Sequence, residues 1–396
     1  MKILVLNCGS SSLKYQLIDM SNKNVLAKGN YERIGTPGSF VTHKKDDFKV
    51  EVKQDVKNHE EAIKIVIDQL LHTEYGVISS LEEIAGIGHR VVHGGEKFAN
   101  SVIINDEVLE AIRECIELAP LHNPAAIFGI EGCKKLMPNT PMVAVFDTAF
   151  HQTIPEKAYT YPIPYKYYEK YKVRRYGFHG TSHKFVSLRV AEILNKKPED
   201  LKIVVCHLGQ GASLCAVKQG KSVDTSMGMT PVAGIPMVTR CGDIDPSIVT
   251  FLIKKENLTA EEIDSILNKQ SGLHGISGVN PDFRDIEAAA KSGDAKAKLA
   301  IDNYFYLISQ YIGKYAVSMN GVDVIAFAGG IGENGTDVRE RICENLGFLG
   351  LEIDAQKNNA KGEEAIVSTN DSKVKVMVVP TNEELMIAKE TAELNY

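Results

Sequence analysis

The sequence has 396 residues, of which 44% are hydrophobic and 24% charged, and its formal net charge is −6. This is ordinary globular composition, and the length allows two domains with separate cores. The acidic balance provides no basic face for nucleic acid or anionic lipid, and no apolar run approaches the ~20 residues that cross a bilayer. We therefore expect a cytoplasmic protein without nucleic-acid or membrane partners.

Seven cysteines are scattered along the chain without a C-x-x-C pair. An odd, unpatterned set in a large chain predicts reduced thiols and neither a disulfide framework nor a zinc site. Cys8 lies in a polar turn and could be a reactive thiol, although a small residue that simply fits is the favoured interpretation.

Taken in chain order, strand-like runs alternate with helical ones, which predicts an α/β architecture. Apolar residues at helical spacing predict helices over 58–72 and 106–118. Short apolar runs bounded by turn residues predict buried strands at 141–146, 202–207, 322–328 and 374–379.

Helix starts are predicted from capping residues. Asn123 and Asp245 each precede a proline, which favours an N-cap with proline at the first helical position. A further helix is predicted after His179, capped by Thr181 or Ser182. Two pairs have the spacing of capping boxes: Thr259 with Glu262, and Thr381 with Glu384.

A layout of strand, Gly/Ser-rich turn, strand, turn and strand occurs twice, at 2–29 and at 202–226. The first turn is one residue shorter in the earlier copy. The offset of roughly half the chain predicts a duplicated α/β domain, with two unrelated β-hairpins as the alternative. Duplication would bring the two polar turns to one cleft between the domains, with a hinge near 147–160.

Three Gly-rich segments follow predicted strands: "NCGSSSLK", "HLGQGAS" and "AGGIGENG". Such turns expose backbone N–H groups that bind phosphate oxygens, and Lys14 adds a positive charge to the first. The third precedes a helix predicted to start near Thr336, and a helix N-terminus favours anions. Each segment alone is compatible with a tight turn that needs glycine, but together they indicate a nucleotide site.

Five ionisable residues lie at predicted strand ends or in loops: Arg90 at the start of a strand, Asp147 at the end of one, His179 before a helix, Arg240 in a loop and Glu383 at the head of the final helix. Each could instead be a helix cap, a surface ion pair or a satisfied core histidine. Together they supply what phosphoryl transfer needs: guanidinium groups for phosphate or carboxylate oxygens, an acid that holds a metal, and a hydrogen-bond donor. His183 lies four residues after His179, but a helix that begins between them argues against a zinc site.

Eight segments occur in the order seen in acetate kinases: "NCGSSSLKY", "GHRVVHGG", "FDTAFH", "YGFHGTSH", "DTSMGMTP", "TRCGDIDP", "GGIGEN" and "TNEEL". They span nearly the whole chain, which therefore resembles the acetate kinase family. The resemblance implies the α/β fold shared with sugar kinases, actin and heat-shock chaperone ATPases: duplicated ribonuclease-H-like domains with an interdomain nucleotide cleft. It implies an N-terminal domain at 1–147 plus 384–396, and a C-terminal domain at 148–383 with the nucleotide site and a homodimer interface.

The resemblance also implies roles for individual residues. Arg90 and Arg240 would bind the acetate carboxylate and the passing phosphoryl group, His179 would donate to the transition-state oxygens, and Asp147 would orient the site. Beside Arg90, a pocket for the acetate methyl group would be lined by Val92, Leu121, Phe178 and Pro231.

The same resemblance implies the nucleotide and metal ligands. Glu383 would hold Mg²⁺ or Mn²⁺, with Asn7 nearby. ATP or ADP would be bound by a larger set: Ser10, Ser12, Lys14, His207, Leu208, Gly209, Gln210, Gly211, Asp282, Phe283, Arg284, Gly330, Ile331, Gly332 and Asn334.

The implied reaction is reversible transfer of the ATP γ-phosphoryl group to acetate, giving acetyl phosphate and ADP by direct in-line displacement. Val92 is bulkier than alanine, which favours acetate over propionate. Gln210 stands where the family usually has asparagine, which leaves the choice of phosphoryl donor open. Three alternatives remain: a propionate or other short-chain carboxylate kinase, a sugar kinase with Asp147 as base, and an actin- or chaperone-like ATPase that acts as a binding module.

Overall fold

The structure is a computed structural model that describes residues 1–120 and 122–394. The chain forms two compact units: unit 1 comprises Met1–Gln152 and the segment from Asn382 onward, and unit 2 comprises Thr153–Thr381. The first boundary lies five residues beyond the predicted one (152 against 147), and the second lies two residues before it (381 against 383). Glu383 therefore belongs to unit 1.

Unit 1 is built around one mixed sheet. Its strands are β1 (Lys2–Cys8), β2 (Ser12–Asp19), β3 (Asn24–Glu32), β4 (Phe40–Lys45), β5 (Phe48–Lys53), β6 (Ile84–Val91), β7 (Val102–Ile103) and β8 (Met142–Phe146). Among the described residues they lie in the order β5-β4-β3-β2-β1-β6-β8-β7. β1 to β5 form an antiparallel meander, whereas β1, β6 and β8 are parallel. The helices between these strands are α1 (His59–Leu70), α2 (Asp106–Glu114) and α3 (Asn123–Leu136).

Unit 2 contains a second mixed sheet. Its strands are β9 (Lys202–Leu208), β10 (Ala212–Lys218), β11 (Lys221–Thr225), β12 (Val324–Ala328), β13 (Ala365–Ile366) and β14 (Lys375–Val378). Over the described ranges they lie in the order β11-β10-β9-β12-β14-β13, with β9, β12 and β14 parallel. Its helices are α4 (Glu156–Tyr159), α5 (Lys166–Tyr171), α6 (Gly180–Ile193), α7 (Pro246–Glu256), α8 (Ala260–Lys269), α9 (Gly272–Ser277), α10 (Phe283–Lys291), α11 (Ala295–Met319), α12 (Gly329–Asn334) and α13 (Thr336–Cys343).

The two sheets share one strand order, which confirms the predicted duplication. In unit 1 the order β3-β2-β1-β6-β8 joins an antiparallel meander to two parallel strands, and β11-β10-β9-β12-β14 repeats it in unit 2. Both first hairpins have three-residue turns, at 9–11 and 209–211, so the predicted difference of one residue is wrong. The repeated unit is the ribonuclease-H-like α/β sheet that the sequence predicted.

The final helix, α14 (Glu383–Leu394), returns the chain to the sheet of unit 1. Side chains of β1 alternate between its two faces, so Leu4 and Leu6 pack with α1 and α3, whereas Ile3 packs with Ile387 and Ala388 of α14. Because both faces are covered, β1 is an unbroken apolar run instead of an alternating one. This packing explains why the segment that carries Glu383 is part of unit 1.

The structure confirms the predicted strands and two of the predicted helix caps. Asp245 accepts a hydrogen bond from the backbone N–H of Ser247 at 2.8 Å, and Thr259 forms a reciprocal capping box with Glu262. The helix predicted over 106–118 is shorter, because α2 ends at Glu114 and a 3₁₀ turn follows at Ile116–Leu118.

Three predicted helix caps are wrong, and the side chains of Asn123, Ser182 and Thr381 form hydrogen bonds with other groups instead. Asn123 is the first residue of α3, and its amide pairs with the backbone N–H and C=O of buried His93 at 3.2 and 3.0 Å. Asn382, and not Thr381, caps α14, through a 2.9 Å bond from the N–H of Leu385. The N-cap of α6 is His179, so neither Thr181 nor Ser182 caps that helix.

The longest helix, α11, has 25 residues. Neither α11 nor another helix in the described part of the chain combines the length and the apolar character that a bilayer crossing demands.

Candidate active site

In unit 1, ionisable side chains meet where the parallel strands end. Arg90 is the penultimate residue of β6, so its predicted place at the start of a strand is wrong, and Asp147 directly follows β8. The guanidinium of Arg90 donates to both carboxylate oxygens of Asp147, from Nε at 2.9 Å and from Nη2 at 2.7 Å. Asp147 is 1% exposed, so this is a buried, bidentate ion pair. Burial opposes the charged form of Arg90, but the neighbouring carboxylates outweigh it and raise the pKa of Arg90.

Glu383 lies beside this pair at the start of α14. Its Oε2 is 3.8 Å from Nε of Arg90, which is an ion pair without a direct hydrogen bond. Burial raises the pKa of Glu383, and the negative charge of Asp147 acts in the same direction, against the positive charges of Arg90 and Lys14. Glu383 is therefore a shielded carboxylate with only a loose cationic partner among the described residues.

The first Gly-rich turn belongs to the same unit. Asn7 and Lys14 are paired across β1 and β2, and the intervening turn closes with a 2.8 Å bond from the N–H of Gly9 to the C=O of Ser12. The side chains of Ser10 and Lys14 are exposed. This hairpin therefore presents a hydroxyl and a cation outward, as a phosphate-binding turn requires.

Cys8 is the last residue of β1 and not part of the turn that follows it. It is buried, and desolvation raises the pKa of its thiol to about 12. A Cβ atom on Gly129 of α3 would come within 2.5 Å of its sulfur. The close packing and the neutral thiol identify Cys8 as a small core residue and not a reactive one.

In unit 2, His179 stands between a loop and α6 with an unusual backbone. Its φ of 56° lies in the left-handed region, which costs a residue with a Cβ atom about 1–3 kcal/mol and is found where a side chain must be aimed. Its Nδ1 is 2.8 Å from Oγ of Ser213 in β10. His179 is thus held both by its backbone turn and by a buried hydroxyl.

Two further histidines surround His179. Nε2 of His183 lies 2.8 Å from the same Oγ of Ser213, and the ring of His207 lies 4.3 Å from that of His179. Nδ1 of His207 is 2.7 Å from Oγ of Ser182. The three imidazoles and two serines form one network, which we refer to as the histidine cluster.

Arg240 lies in the loop between β11 and α7, as predicted. Its Nη1 donates weakly to the C=O of Pro231 at 3.4 Å and lies 3.6 Å from the sulfur of Met237. No carboxylate of the described residues forms an ion pair with it, and burial lowers the pKa of Arg240. A Cβ atom on Gly211 would lie 3.6 Å from this Nη1 and 3.5 Å from Nε2 of His179, so the two groups border the same space.

The third Gly-rich segment is helical. α13 (Thr336–Cys343) confirms the helix predicted to start near Thr336, and a separate short helix, α12, starts at Gly329, directly after β12. Gly329 has a φ of 74° and donates its N–H to the carboxylate of Glu333 at 2.7 Å. Gly330 and Asn334 are exposed on α12, and Ile331 is half-buried. A short helix therefore replaces the expected turn, its first N–H is bonded to a carboxylate of the same helix, and phosphate binding by this segment stays a prediction.

The other predicted nucleotide residues have differing environments. Gln210 is exposed at the tip of the β9–β10 turn, between the partly buried Gly209 and Gly211. Asp282 caps α10 and pairs with Arg284, whose side chain is 87% exposed. This pairing lowers the pKa of Asp282 to about 2. The side chain of Phe283 is instead buried, 6.0 Å from the ring of Tyr304.

The residues predicted to surround the acetate methyl group are distributed over both units. Val92 is half-buried in unit 1, whereas Phe178 is buried and Pro231 half-buried in unit 2. Leu121 lies outside the described residues. The pocket itself stays a prediction.

Sequence reasoning missed the residues that hold the functional groups in place. It assigned no role to Ser213 or Glu333, it considered Ser182 only as a helix cap, and it considered His183 only as a metal ligand. The described residues contain no group of three His, Cys, Asp or Glu side chains arranged to hold a metal ion. The i,i+4 spacing of the two histidines in "HGTSH" was the available signal, because a helix N-cap lies one turn before the fourth helical residue, and the N–H of His183 donates to the C=O of His179 at 2.9 Å.

The repeated sheet, with arginine, carboxylate and histidine clusters beside Gly-rich turns, is characteristic of α/β kinases. The family model for the acetokinase family matches residues 2–389. Acetate kinase of Thermoanaerobacterium thermosaccharolyticum is 62% identical over 395 residues, covering 100% of this chain and 99% of that protein. The chain therefore belongs to the acetokinase family.

Solved structures agree with that assignment. The crystal structure of Porphyromonas gingivalis acetate kinase matches with a TM-score of 0.97 at 49% identity, covering 100% of both chains. A propionate kinase from Francisella tularensis matches with a TM-score of 0.92 at 44% identity, covering 99% of both chains. The likeness extends over the whole fold and does not by itself separate two carboxylate substrates.

Proposed function

We propose that this protein is an acetate kinase that transfers the γ-phosphoryl group of ATP to acetate, giving acetyl phosphate and ADP in a reversible reaction. Membership of the acetokinase family supports this, as does the 62% identity to an acetate kinase over the full chain. Propionate remains the main competing acceptor, because a propionate kinase is also structurally similar.

The observation that carries the proposal is the environment of Arg240. A partly buried guanidinium without a carboxylate partner is costly unless an anion pairs with it. Its pKa is lowered by burial alone, and Nη1 faces the space above Gly211 that Nε2 of His179 also borders. A phosphoryl group or a carboxylate supplies the missing negative charge, and a guanidinium binds either through a planar pair of hydrogen bonds.

Acetate needs no general base, because a carboxyl group is already ionised at neutral pH. Catalysis then consists of positioning the carboxylate for in-line attack and neutralising charge on the phosphoryl oxygens. We assign the neutralisation in unit 2 to Arg240, with His179 donating from Nε2. In unit 1, Asp147 holds Arg90 in a fixed orientation, so that the remaining N–H groups of Arg90 bind an anion.

A divalent cation, Mg²⁺ or Mn²⁺, fits the donor set of unit 1. Glu383 is half-buried and pairs only loosely with Arg90, so its carboxylate oxygens are available to a cation. Burial raises the pKa of Glu383, and a bound cation would favour the ionised form instead. Magnesium usually takes one or two carboxylates together with substrate phosphates, so it does not need the three-residue cluster that residues 1–120 and 122–394 lack. We propose that Glu383 holds the cation with Asn7 nearby, where it would neutralise phosphate charge.

A hydroxamate assay tests this function directly. With ATP, Mg²⁺ and acetate, we expect acetyl phosphate, trapped by hydroxylamine, and one ADP per hydroxamate. We expect kcat/KM for acetate to exceed that for propionate by about 10- to 200-fold, the discrimination that one methylene provides, and Val92→Ala to narrow the ratio. ADP formation without acetate would instead indicate an ATPase, and product from glucose or glycerol would indicate a sugar kinase.

The phosphoryl donor is tested in the same assay with GTP and pyrophosphate in parallel. Gln210 is exposed at the nucleotide-facing turn, and we propose that Ser10, Ser12, Lys14 and the remaining predicted residues bind ATP. Replacing Gln210 by asparagine, the usual residue of the family, is the matched variant. An unchanged preference among the three donors would remove Gln210 from the specificity determinants.

We also propose that the protein acts in the cytoplasm as a homodimer through unit 2. Large apolar side chains are exposed there, including Phe251 at 57% and Val317 at 81%, and a dimer interface would cover such groups. Light scattering after size exclusion measures the mass, with Phe251→Ser as the variant expected to weaken association. A monomeric wild-type protein would contradict this assignment.

A further inference from the structure

We propose that Ser213 is a positioning residue that fixes the tautomer of His179, so that its Nε2 carries a proton. This inference deepens the proposed function and rests on it, because a donor to the phosphoryl oxygens must have hydrogen at the nitrogen that faces them. Both hydrogen bonds of the Ser213 hydroxyl run to imidazoles of unit 2, and neither runs to Arg240. It acts through the histidine.

The geometry places one hydroxyl between two imidazole nitrogens. Oγ of Ser213 is 2.8 Å from Nδ1 of His179 and 2.8 Å from Nε2 of His183. Ser213 is fully buried, in register with His207 on the neighbouring strand. The backbone of both sheet strands therefore fixes where this hydroxyl lies.

Proton counting limits what the bridge can do. A serine hydroxyl has one hydrogen to donate and two lone pairs, and each neutral imidazole has one N–H and one acceptor nitrogen. The hydrogen bonds of Oγ of Ser213 among the described residues run to these two nitrogens, so one of them must accept its hydrogen. If the hydroxyl donates to Nδ1 of His179, that ring carries its proton on Nε2, and His183 must donate its own Nε2–H to the serine oxygen. The reverse order would make Nδ1 of His179 the donor and leave Nε2 as an acceptor that repels phosphoryl oxygens.

Only the arrangement in which Ser213 donates to Nδ1 of His179 places a hydrogen on Nε2, which faces the space above Gly211. Nε2 of His179 lies on the side of Gly211 and Arg240, where a cationic guanidinium already favours an anion. An acceptor nitrogen there would oppose that anion, whereas a donor adds to the guanidinium. The bridge His183–Ser213–His179 therefore prepares a donor before any ligand arrives.

A second serine holds the neighbouring histidine in a similar way. Oγ of Ser182 is 2.7 Å from Nδ1 of His207 and 2.7 Å from Oγ1 of Thr381. The second partner of Ser182 is the hydroxyl of Thr381, which can either donate or accept. This serine therefore does not determine the tautomer of His207. Ser213 differs because both its partners are imidazole nitrogens.

The tautomer is measured by NMR of ¹⁵N-histidine-labelled full-length protein, with the His179 signals identified by their loss in His179→Asn. At a pH where His179 is neutral, we expect an Nε2–H tautomer in the wild type and a mixture of tautomers in Ser213→Ala. An Nδ1–H tautomer in the wild type, or an unchanged tautomer in Ser213→Ala, would overturn the proposal. This readout does not require the enzyme to turn over, so it stays interpretable if the proposed reaction is wrong.

Kinetics supply the second readout. We expect Ser213→Ala to lower kcat by about 10- to 100-fold, the size typical of partners that orient a functional histidine, with KM values for acetate and ATP within about threefold. Ser213→Cys keeps a single donatable hydrogen and should recover part of the loss. The matched control is Ser222→Ala, which removes another fully buried hydroxyl from β11.

A merely structural serine would give a different pattern. In that case Ser213→Ala and Ser222→Ala would lower the thermal midpoint and kcat together, and Ser213→Cys would show no advantage over alanine. If Ser213→Ala does not fold, the tautomer in Ser213→Cys and in the wild type still decides the question. Absence of acetyl phosphate from the wild type, with the Nε2–H tautomer present, would reject the function and retain the positioning role.

Discussion

The two arginines of the candidate site have opposite environments, one in each unit. Arg90 is locked to the buried carboxylate of Asp147 by two hydrogen bonds, and nearby carboxylates raise its pKa. Arg240 has a backbone carbonyl at 3.4 Å and a thioether at 3.6 Å as neighbours, and burial lowers its pKa. The first charge is paired within the fold, whereas the second has no carboxylate partner among the described residues. A partly buried charge without a partner is costly, and this cost is the reason for assigning an anion to Arg240 in the proposed function.

The largest expected effect is the loss of Arg240. Arg240→Ala should lower kcat/KM for acetate by about 10³-fold or more, as for arginines that stabilise a transferring phosphoryl group. Arg240→Lys should recover little, because a point charge lacks the planar fork. Steady-state kinetics in both directions measure this, with the surface variant Arg189→Ala as control. Near-complete rescue by lysine would show that charge alone is required.

The stability of the same variants should separate the two arginines. Arg90→Ala leaves Asp147 buried without its partner, which should reduce the free energy of unfolding by about 3–5 kcal/mol. Arg240→Ala removes a desolvated charge and should leave that free energy unchanged or slightly higher. Urea denaturation of Arg90→Ala, Asp147→Asn and the double variant measures the coupling. Additive losses would mean that the 2.7 and 2.9 Å contacts contribute no interaction energy.

Loss of the donor in unit 2 should come next in size. His179→Ala should reduce kcat by about 10²–10³-fold while KM for acetate stays within a few-fold, because a donor of this kind acts mainly in the transition state. Its unfolding free energy should change far less than that of Arg90→Ala. A large rise in KM with kcat intact would assign His179 to ground-state binding instead.

The smallest effect concerns His89, which precedes Arg90 in β6. His89 is 2% exposed, and burial lowers its pKa to about 3. Between about pH 6.5 and pH 3 the unfolded chain binds a proton that the folded chain does not, so this residue lowers stability as pH falls, by about 2 kcal/mol at pH 5. Above pH 6.5 it has no effect.

A variant isolates this contribution. His89→Leu should lose less stability than the wild type between pH 7 and pH 5 in urea titrations, while Arg240→Ala should follow the wild type. Equal losses in His89→Leu and the wild type would show that His89 is protonated in the folded protein.

The sequence alone was sufficient for the repeated sheet, whereas the roles of the site residues stay predictions. An unbroken apolar run such as β1 predicts a strand that is buried on both faces of its sheet. The strand–turn–strand layout, which occurs at 2–29 and again at 202–226, predicts two hairpins with the same pattern of backbone hydrogen bonds. Residue type also made Arg90, Asp147, His179, Arg240 and Glu383 candidates, since few side chains bind phosphate, carboxylate or metal.

Tertiary structure decided which of these groups have partners. Asp147 follows Arg90 by 57 positions, and Ser213 lies 34 positions after His179, so neither contact has a local signal. The wrong caps have the same cause, because Asn123, Ser182 and Thr381 satisfy distant buried groups instead of adjacent helix ends. Sequence patterns reveal contacts between residues two to four positions apart, because these are the periods of strands and helices. The hydrogen-bond partners of buried polar groups come instead from distant elements that the fold packs together.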